Sequence, residues 1–249
     1  MKKILIINLE PISECLLSTS LIKGYKSKYK DITIDVIVSE DDNCKKIFKY
    51  NPCVDSVYSI NEVIDQLPFE LLNSKYDIMV NLSHDNTLAK LFENNSIETY
   101  GFQYSDEDNK IYETLYKFNK SNKNMFQLYF SLCGLIWRGE GYDIYYHPKT
   151  KSKQDIGVII VNKNLNNYLH TQLKFDKKDL NIIPFKNNIF KKMDEINKYQ
   201  KIITDDFLSV NISCLLRKEI FFLKTVPYNY QLEFFGKGNI IEVPKTFIK

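Results

Sequence analysis

The chain contains 249 residues, of which 44% are hydrophobic and 26% are charged. This composition is typical of a globular protein with one or two domains and excludes an intrinsically disordered chain. The 34 Lys and Arg residues nearly balance the 31 Asp and Glu residues, so the formal net charge of +3 indicates no nucleic-acid partner. No run of about 18 apolar residues occurs, so we expect no membrane span and a cytoplasmic location.

Five short apolar runs in the first hundred positions are rich in β-branched residues, which is typical of strands buried on both faces. They span residues 3–9, 32–38, 54–60, 76–82 and 97–102. The stretches between and after them are long enough for one helix each, and cover residues 13–26, 39–50, 61–73 and 85–94. This alternation predicts βαβ units and a parallel, doubly wound sheet.

A polar, turn-rich segment near residue 150 follows an amphipathic helix predicted over residues 121–134. A second alternation comes after it, so we predict two Rossmann-like α/β domains, residues 1–150 and a smaller domain of residues 151–249. The predicted elements of the second domain are strands at 156–161, 201–204 and 219–223 and helices at 189–197 and 207–216. Residues 228–249 have no clear period, and no element is predicted there.

The spacing of cysteines and histidines gives no metal motif. The five cysteines lie far apart without a CxxC pair, which predicts reduced thiols and neither disulfides nor a zinc site. His84, His147 and His170 are scattered as well. His84 follows the fourth predicted strand and is either a plain loop residue or a contact for a sugar, whereas we take His147 and His170 as surface residues.

The loop after the first predicted strand is the first candidate for a site, because ligands of such sheets bind beyond the carboxyl ends of the strands. It holds no GxGxxG motif, so it supports no nicotinamide or flavin cofactor, and we expect none. It does place Ser13 and Glu14 at the start of a helix. Ser13 is a candidate cap, and Glu14 is either a first-turn carboxylate favoured by the helix dipole or a reactive group.

Four segments of the first half occur in the order and spacing of one known family. They are ILIINLEPISECLLSTSLIKGYKSKY with ITIDVIV, NPCVDSVYSI, YDIMVNLSHDNTLAKLF with IETYGF, and NMFQLYFSLCGL. Through them the first 150 residues resemble the acceptor domain of family 9 glycosyltransferases, the lipopolysaccharide heptosyltransferase family. The resemblance implies two Rossmann-like domains in a GT-B-type architecture with a reduced second domain.

The second half resembles the family in the segment IFKKMDEINKYQKIITDDFLSVNISCLLRKEIFFL. Asp205 and Asp206 match the Asn-Asp of the family's donor motif, but Phe207 and Leu208 follow where the family has Thr and Gly, and the family's His is replaced by Asn211. The family's phosphate turn is replaced by the sequence NKN at residues 162–164.

The resemblance implies an inverting, metal-independent transferase that uses a nucleotide-diphosphate sugar as substrate. Glu14 stands at the position of the family's general base. Lys163, Asp205 and Asp206 become candidate donor contacts, against a solvated loop lysine and a pair of helix-capping residues as the alternatives. Ser13 and His84 become candidate acceptor contacts, and the acceptor is implied to be a cell-surface glycolipid such as a lipopolysaccharide core.

A basic run at the end of the first predicted helix has two interpretations. Its members are Lys23, Lys26, Lys28 and Lys30. They are either a solvated helix end or a contact with anionic lipid headgroups at the inner membrane face or with a phosphorylated acceptor. The changes in the donor motif also leave two functions open: an active glycosyltransferase, or a non-catalytic relative that binds a glycan or a partner protein.

Overall fold

The computed structural model describes residues 1–66, 68–85, 87–102, 124–150, 154–162, 164–165, 168–169, 180–184, 188–225, 237–244 and 246. The described residues divide into two compact units, of which the first is Met1–Tyr145 and the second starts at Tyr146. Each unit contains one sheet of five parallel strands. The predicted α/β fold with two Rossmann-like parallel units is therefore confirmed.

The first sheet has the strand order β3-β2-β1-β4-β5. Its strands are β1 (Lys2–Asn8), β2 (Ile32–Val38), β3 (Val54–Ser59), β4 (Tyr76–Asn81) and β5 (Ser96–Gly101). All five coincide with the predicted runs to within one or two residues. The central strand β1 has four consecutive residues, 4–7, with no exposed surface, which explains why its sequence is apolar without alternation.

The helices of this unit begin at identifiable residues. They are α1 (Ile12–Lys28), α2 (Asp42–Lys49), α3 (Ile60–Gln66), α4 (Phe69–Asn73), α5 (Thr87–Glu93) and α6 (Met125–Leu132). The Asp41 side chain caps α2 by accepting a hydrogen bond from the backbone N–H of Asn43. Asn124 caps α6 in the same way through the backbone N–H of Gln127. The prediction of a single helix over residues 61–73 is wrong, because this segment contains the two helices α3 and α4. Pro68 has no N–H to continue a helix, and it is the N-cap residue of α4.

The second sheet has the order β10-β9-β8-β6-β7. Its strands are β6 (Gln154–Ile159), β7 (Asn181–Ile182), β8 (Tyr199–Thr204), β9 (Glu219–Lys224) and β10 (Gly238–Glu242), and its described helices are α7 (Ile189–Asn197) and α8 (Phe207–Leu215). Two strands were not predicted. β7 is only two residues long. β10 is an edge strand in which Ile240 is 45% exposed, and its sequence therefore has no buried apolar run that would predict a strand.

Each sheet has one point where the strand order reverses. In the first sheet it lies between β1 and β4, and in the second between β6 and β8. At such a point the connections leave toward opposite faces, so a crevice opens beyond the carboxyl ends of the two strands, and this crevice is where open parallel sheets bind ligands. The residues that follow β1, β4, β6 and β8 are therefore the first candidates for a functional site.

Candidate functional site

Two loops meet at the reversal point of the first sheet, one after β1 and one after β4. The backbone N–H of Leu9 donates to Ser83 Oγ at 2.7 Å, and the N–H of Leu82 donates to the carbonyl of Ile7 at 2.8 Å. These bonds tie the two loops together directly beyond the strands.

A buried asparagine at the end of each strand fixes the loop that follows it. Asn8 Oδ1 accepts from the N–H of Glu10 at 3.1 Å, and Asn81 Oδ1 accepts from the N–H of Ser83 at 3.0 Å. The Asn81 side chain also donates to the carbonyl of Phe102, after β5, at 3.1 Å. Both asparagines are nearly inaccessible to solvent. The two loops therefore have a defined shape that does not depend on a ligand.

Glu10 and His84 form the central contact between these loops. Glu10 Oε1 lies 2.8 Å from His84 Nδ1 and accepts from the His84 backbone N–H at 3.0 Å. The His84 ring stacks on Phe102 with 5.0 Å between ring centroids. The hydrogen bond to Glu10 outweighs burial and raises the pKa of His84. Burial alone would raise the pKa of Glu10, but the two bonds from His84 outweigh it and lower that pKa.

Glu14 lies in the first turn of α1, four residues after Glu10. Ser13 Oγ donates to Glu14 Oε2, and burial raises the pKa of Glu14 despite this bond. The negative charge of Glu10 raises the pKa of Glu14 further, while the charge of His84 lowers it. Glu14 is therefore a half-buried carboxylate in the first turn of a helix, and its pKa is raised because burial outweighs the groups that favour its ionised form.

The arrangement brings together three residues that the sequence singled out. Ser13, Glu14 and His84 all lie in the loops or first helical turn at the reversal point of the first sheet. Their chemical capacity is to accept hydrogen bonds and protons from a ligand hydroxyl, because they supply a carboxylate, an imidazole and a hydroxyl group. Sequence analysis missed Glu10, although its position after the first strand was the signal that pointed to it.

Asp205 lies at the reversal point of the second sheet, directly after β8. Its Oδ1 accepts from the N–H of Val161 at 2.7 Å, and its Oδ2 accepts from the N–H of Asn162 at 2.9 Å. The carboxylate thereby ties the loop after β6 to the end of β8. Two bonded N–H groups use two of about four lone-pair positions on a carboxylate, so the group retains the capacity to accept from a ligand hydroxyl.

Asp206 is the N-cap of α8. Its Oδ2 accepts from the Ser209 backbone N–H at 3.1 Å, from Ser209 Oγ, and from Nζ of Lys192. Burial alone would raise the pKa of Asp206, but the charge of Lys192 and these hydrogen bonds outweigh it and lower that pKa. The capping interpretation is thus confirmed for Asp206 and wrong for Asp205, whose carboxylate binds two N–H groups of the loop after β6 instead.

Several other sequence candidates have defined positions, while Lys163 and His170 lie outside the described residues. His147 is exposed. In the basic run, Lys23 Nζ donates to the carbonyl of Tyr142 at 2.6 Å, and Lys28 Nζ contacts the carbonyl of Gly134 at 3.3 Å. Half of the run is thus engaged with its own chain.

Within the described ranges, no three His, Cys, Asp or Glu side chains cluster in a way that suits a metal ion. Among the helices that the structure describes, none has the length and apolar character to cross a membrane.

The fold matches solved glycosyltransferase family 9 structures along nearly the whole chain. The family 9 glycosyltransferase from Veillonella parvula has a TM-score of 0.67 at 12% identity, covering 97% of this chain and 86% of that chain. ADP-heptose lipopolysaccharide heptosyltransferase II of E. coli has a TM-score of 0.69 at 13% identity, and the match covers 98% of this chain and 91% of that chain. E. coli heptosyltransferase WaaC with ADP-2-deoxy-2-fluoro heptose has a TM-score of 0.61 at 13% identity, and the match covers 97% of this chain and 93% of that chain.

The likeness lies in the fold and not in overall sequence. No protein-family model matches the sequence, and no curated protein sequence matches it either. The resemblance that the four segments of the first half indicated is therefore confirmed for the fold. Identities of 12–13% leave the site chemistry to be argued from the residues of this chain.

Proposed function

We propose that the protein is a glycosyltransferase that moves a sugar from a nucleotide-diphosphate sugar to an acceptor hydroxyl with inversion at the anomeric carbon. The observation that carries the proposal is the half-buried carboxylate of Glu14 at the reversal point of the first sheet. A chain with the fold of heptosyltransferases and a carboxylate at this position has the group that an inverting transfer requires.

In the proposed reaction Glu14 is the general base. It takes the proton of the acceptor hydroxyl as the oxygen attacks the anomeric carbon, and the nucleoside diphosphate leaves from the opposite face. General-base assistance contributes roughly 10²–10⁴ in rate. Ser13 and His84 are proposed to bind the acceptor. Ser13 precedes Glu14 in the sequence, and His84 lies in the loop after β4 at the same edge of the sheet. The acceptor we propose is a cell-surface glycolipid such as a lipopolysaccharide core.

The second unit is proposed to bind the donor. Asp205 retains lone pairs for a sugar or ribose hydroxyl, and the neighbouring loop carries Lys163, a cation suited to the charge that develops on the departing diphosphate. We propose Asp206 as a further donor contact, alongside its role as helix cap. Two of the similar solved structures hold ADP or ADP-2-deoxy-2-fluoro heptose, which supports an adenine nucleotide as the first to be tried.

Nucleotide binding is the direct test. We expect calorimetry with ADP, UDP and GDP to detect binding to at least one of them with a dissociation constant nearer millimolar than micromolar, about −4 kcal/mol. The binding is expected to be weak because Phe207 and Leu208 fill the first turn of α8 with side chains. An Asp205→Ala variant should weaken it further, and Glu40→Gln, an exposed carboxylate in the first unit, serves as control.

The second candidate is a non-catalytic relative that binds a glycan or a partner protein. It is favoured by the commitment of Asp206 to Lys192 and Ser209, which leaves less of that carboxylate for a donor. No binding of any nucleotide at millimolar concentration would contradict the transferase and favour this candidate. Binding in the micromolar range, with release of nucleoside diphosphate from the corresponding sugar, would exclude it.

A further inference from the structure

The contact between Glu10 and His84 fixes the protonation pattern of the imidazole. A carboxylate only accepts hydrogen bonds, so the 2.8 Å contact makes Nδ1 of His84 the protonated nitrogen and leaves the lone pair on Nε2. The second bond, from the His84 backbone N–H to the same Oε1 at 3.0 Å, holds the carboxylate in place. Glu10 therefore sets both the tautomer and the position of the ring.

The surroundings of His84 suit a reactive group better than a plain surface ion pair. One face of the ring packs on Phe102, while the side chain remains 48% exposed, so a ligand can reach it. The loops that carry Glu10 and His84 are joined by the bond between Leu9 and Ser83. The pair also lies beyond β1 and β4, at the crevice where a parallel sheet binds its ligand.

We propose that Glu10 and His84 form a carboxylate–histidine dyad that is a second proton acceptor of this site, with Nε2 of His84 as the accepting atom and Glu10 as the positioning residue. This inference rests on the proposed transferase function. The dyad provides turnover by a route that does not require the carboxylate of Glu14.

The O–H bond of the acceptor hydroxyl, or of a water molecule, breaks and its proton adds to Nε2. The oxygen electron pair forms the bond to the anomeric carbon, and the bond from that carbon to the diphosphate oxygen breaks, so the nucleoside diphosphate departs with the electron pair. The imidazolium, stabilised by Glu10, then returns the proton to water. No metal or redox partner enters the step.

The charged groups around His84 are consistent with this role. Glu10, from the loop after β1, and Glu14, from α1, both raise the pKa of His84, and the hydrogen bond that His84 donates to Glu10 is the largest effect. Asp85, the next residue, directs its carboxylate to Thr87, and β5 presents the uncharged ring of Phe102. An imidazole that titrates somewhat above its ordinary range is a suitable base near neutral pH.

The dyad is tested first without any ligand. Nitrogen-15 NMR of the histidine rings across pH 5–9 reports the tautomer and the pKa of each of the three histidines, which His84→Gln and His147→Gln variants assign. We expect Nδ1 of His84 to carry the proton at high pH, and Glu10→Gln to lower the pKa of His84. His147→Gln should leave the His84 signals unchanged.

The second measurement is the release of nucleoside diphosphate from ADP-heptose, ADP-glucose, UDP-glucose and GDP-mannose with water as acceptor. In Glu14→Gln we expect a residual rate that rises with pH through the His84 pKa measured by NMR. Adding His84→Gln should lower that rate about tenfold or more and remove the inflection. Adding Glu10→Gln should move the inflection to lower pH. The control, Glu14→Gln with His147→Gln, should match Glu14→Gln alone.

The outcomes separate the dyad from the proposed function. An unchanged rate and inflection after His84→Gln, or an Nε2-protonated tautomer in the wild type, overturns the dyad while the transferase stands. Nucleotide binding without release from any of the four sugars also overturns the dyad, since a poised base activates water too. Failure to bind any nucleotide overturns the proposed function itself.

Discussion

Lys192 extends from α7 to the carboxylate of Asp206 at the N-terminus of α8, and its side chain is only 2% exposed. A buried ammonium group requires a partner, because its transfer from water to the interior is costly unless the charge is paired. Asp206 supplies that partner and at the same time caps α8 through Ser209. One carboxylate thus joins α7, α8 and the end of β8.

The ion pair predicts a large effect of removing one member. Lys192→Met keeps an unbranched chain but leaves Asp206 half-buried without its cation, so we expect the free energy of unfolding to fall by about 3 kcal/mol. Lys191→Met, at the exposed neighbouring position of the same helix, should change it by less than about 0.5 kcal/mol. Urea unfolding of both variants measures the difference, and equal midpoints would contradict the structural role of the pair.

The contact between Glu10 and His84 predicts a pH window of stabilisation. The raised pKa of His84 means that its contribution is present below the ordinary value of 6.5 and is lost as pH rises through the folded pKa. The lowered pKa of Glu10 means that its contribution is present above the ordinary value of 4.5 and is lost as pH falls through the folded pKa. The pair therefore stabilises the fold most between these two values.

Thermal unfolding of the wild type and His84→Gln at several pH values checks this window. We expect the wild type to be more stable near pH 5.5, by less than about 1 kcal/mol because the pair is partly exposed, and the difference to shrink above pH 8, where only the hydrogen bond of the neutral ring to Glu10 and its stacking on Phe102 remain. A difference that grows with rising pH would contradict the assigned charge states.

Two glycines with nearly the same positive φ provide a comparison. Gly101 has φ of +98° and Gly139 has φ of +100°, but a Cβ on Gly101 would lie 1.9 Å from the carbonyl oxygen of Asn81, whereas nothing lies within 4 Å of one on Gly139. Gly139→Ala should therefore show only the backbone cost of about 1 kcal/mol. Gly101→Ala should lose at least about 1 kcal/mol more, measured by urea unfolding. Equal losses would mean that the approach of β5 to Asn81 is not tight.

Glu14→Gln tests the proposed base. The substitution keeps the shape of the side chain and removes its ability to take a proton, so turnover should fall at least about 10²-fold with little change in thermal stability. Release of nucleoside diphosphate measures the rate, and Glu40→Gln is the control with an exposed carboxylate. An unchanged rate would exclude Glu14 as the base.

The central strands β1, β2 and β4 of the first sheet were predictable because they are mostly buried and carry continuous apolar runs, as in residues 4–7 of β1. The strands β7 and β10 lack that signal, since one is two residues long and the other is an edge strand. Local capping signals were also readable, as with Asp206 at the start of α8.

The candidate site was predictable only in part. Strand exits pointed to Ser13, Glu14 and His84, because parallel sheets bind ligands at that edge. The partnership of Glu10 with His84 joins residues 74 positions apart, and that of Lys192 with Asp206 joins α7 to α8. Such pairs depend on how elements pack, and neither residue type nor spacing within one element reveals them.

The position of β1 has a consequence for how the chain emerges during synthesis. β1 is made first but occupies the centre of its sheet, and Ile4 pairs with Ile78, 74 residues later. At roughly 5–20 residues per second, β4 follows on the ribosome about 4–15 s after β1. During that interval β2 is able to cover only one edge of β1, and the other edge stays open to foreign strands. The nascent first unit is therefore expected to need chaperone protection until Asn81 has left the ribosomal tunnel.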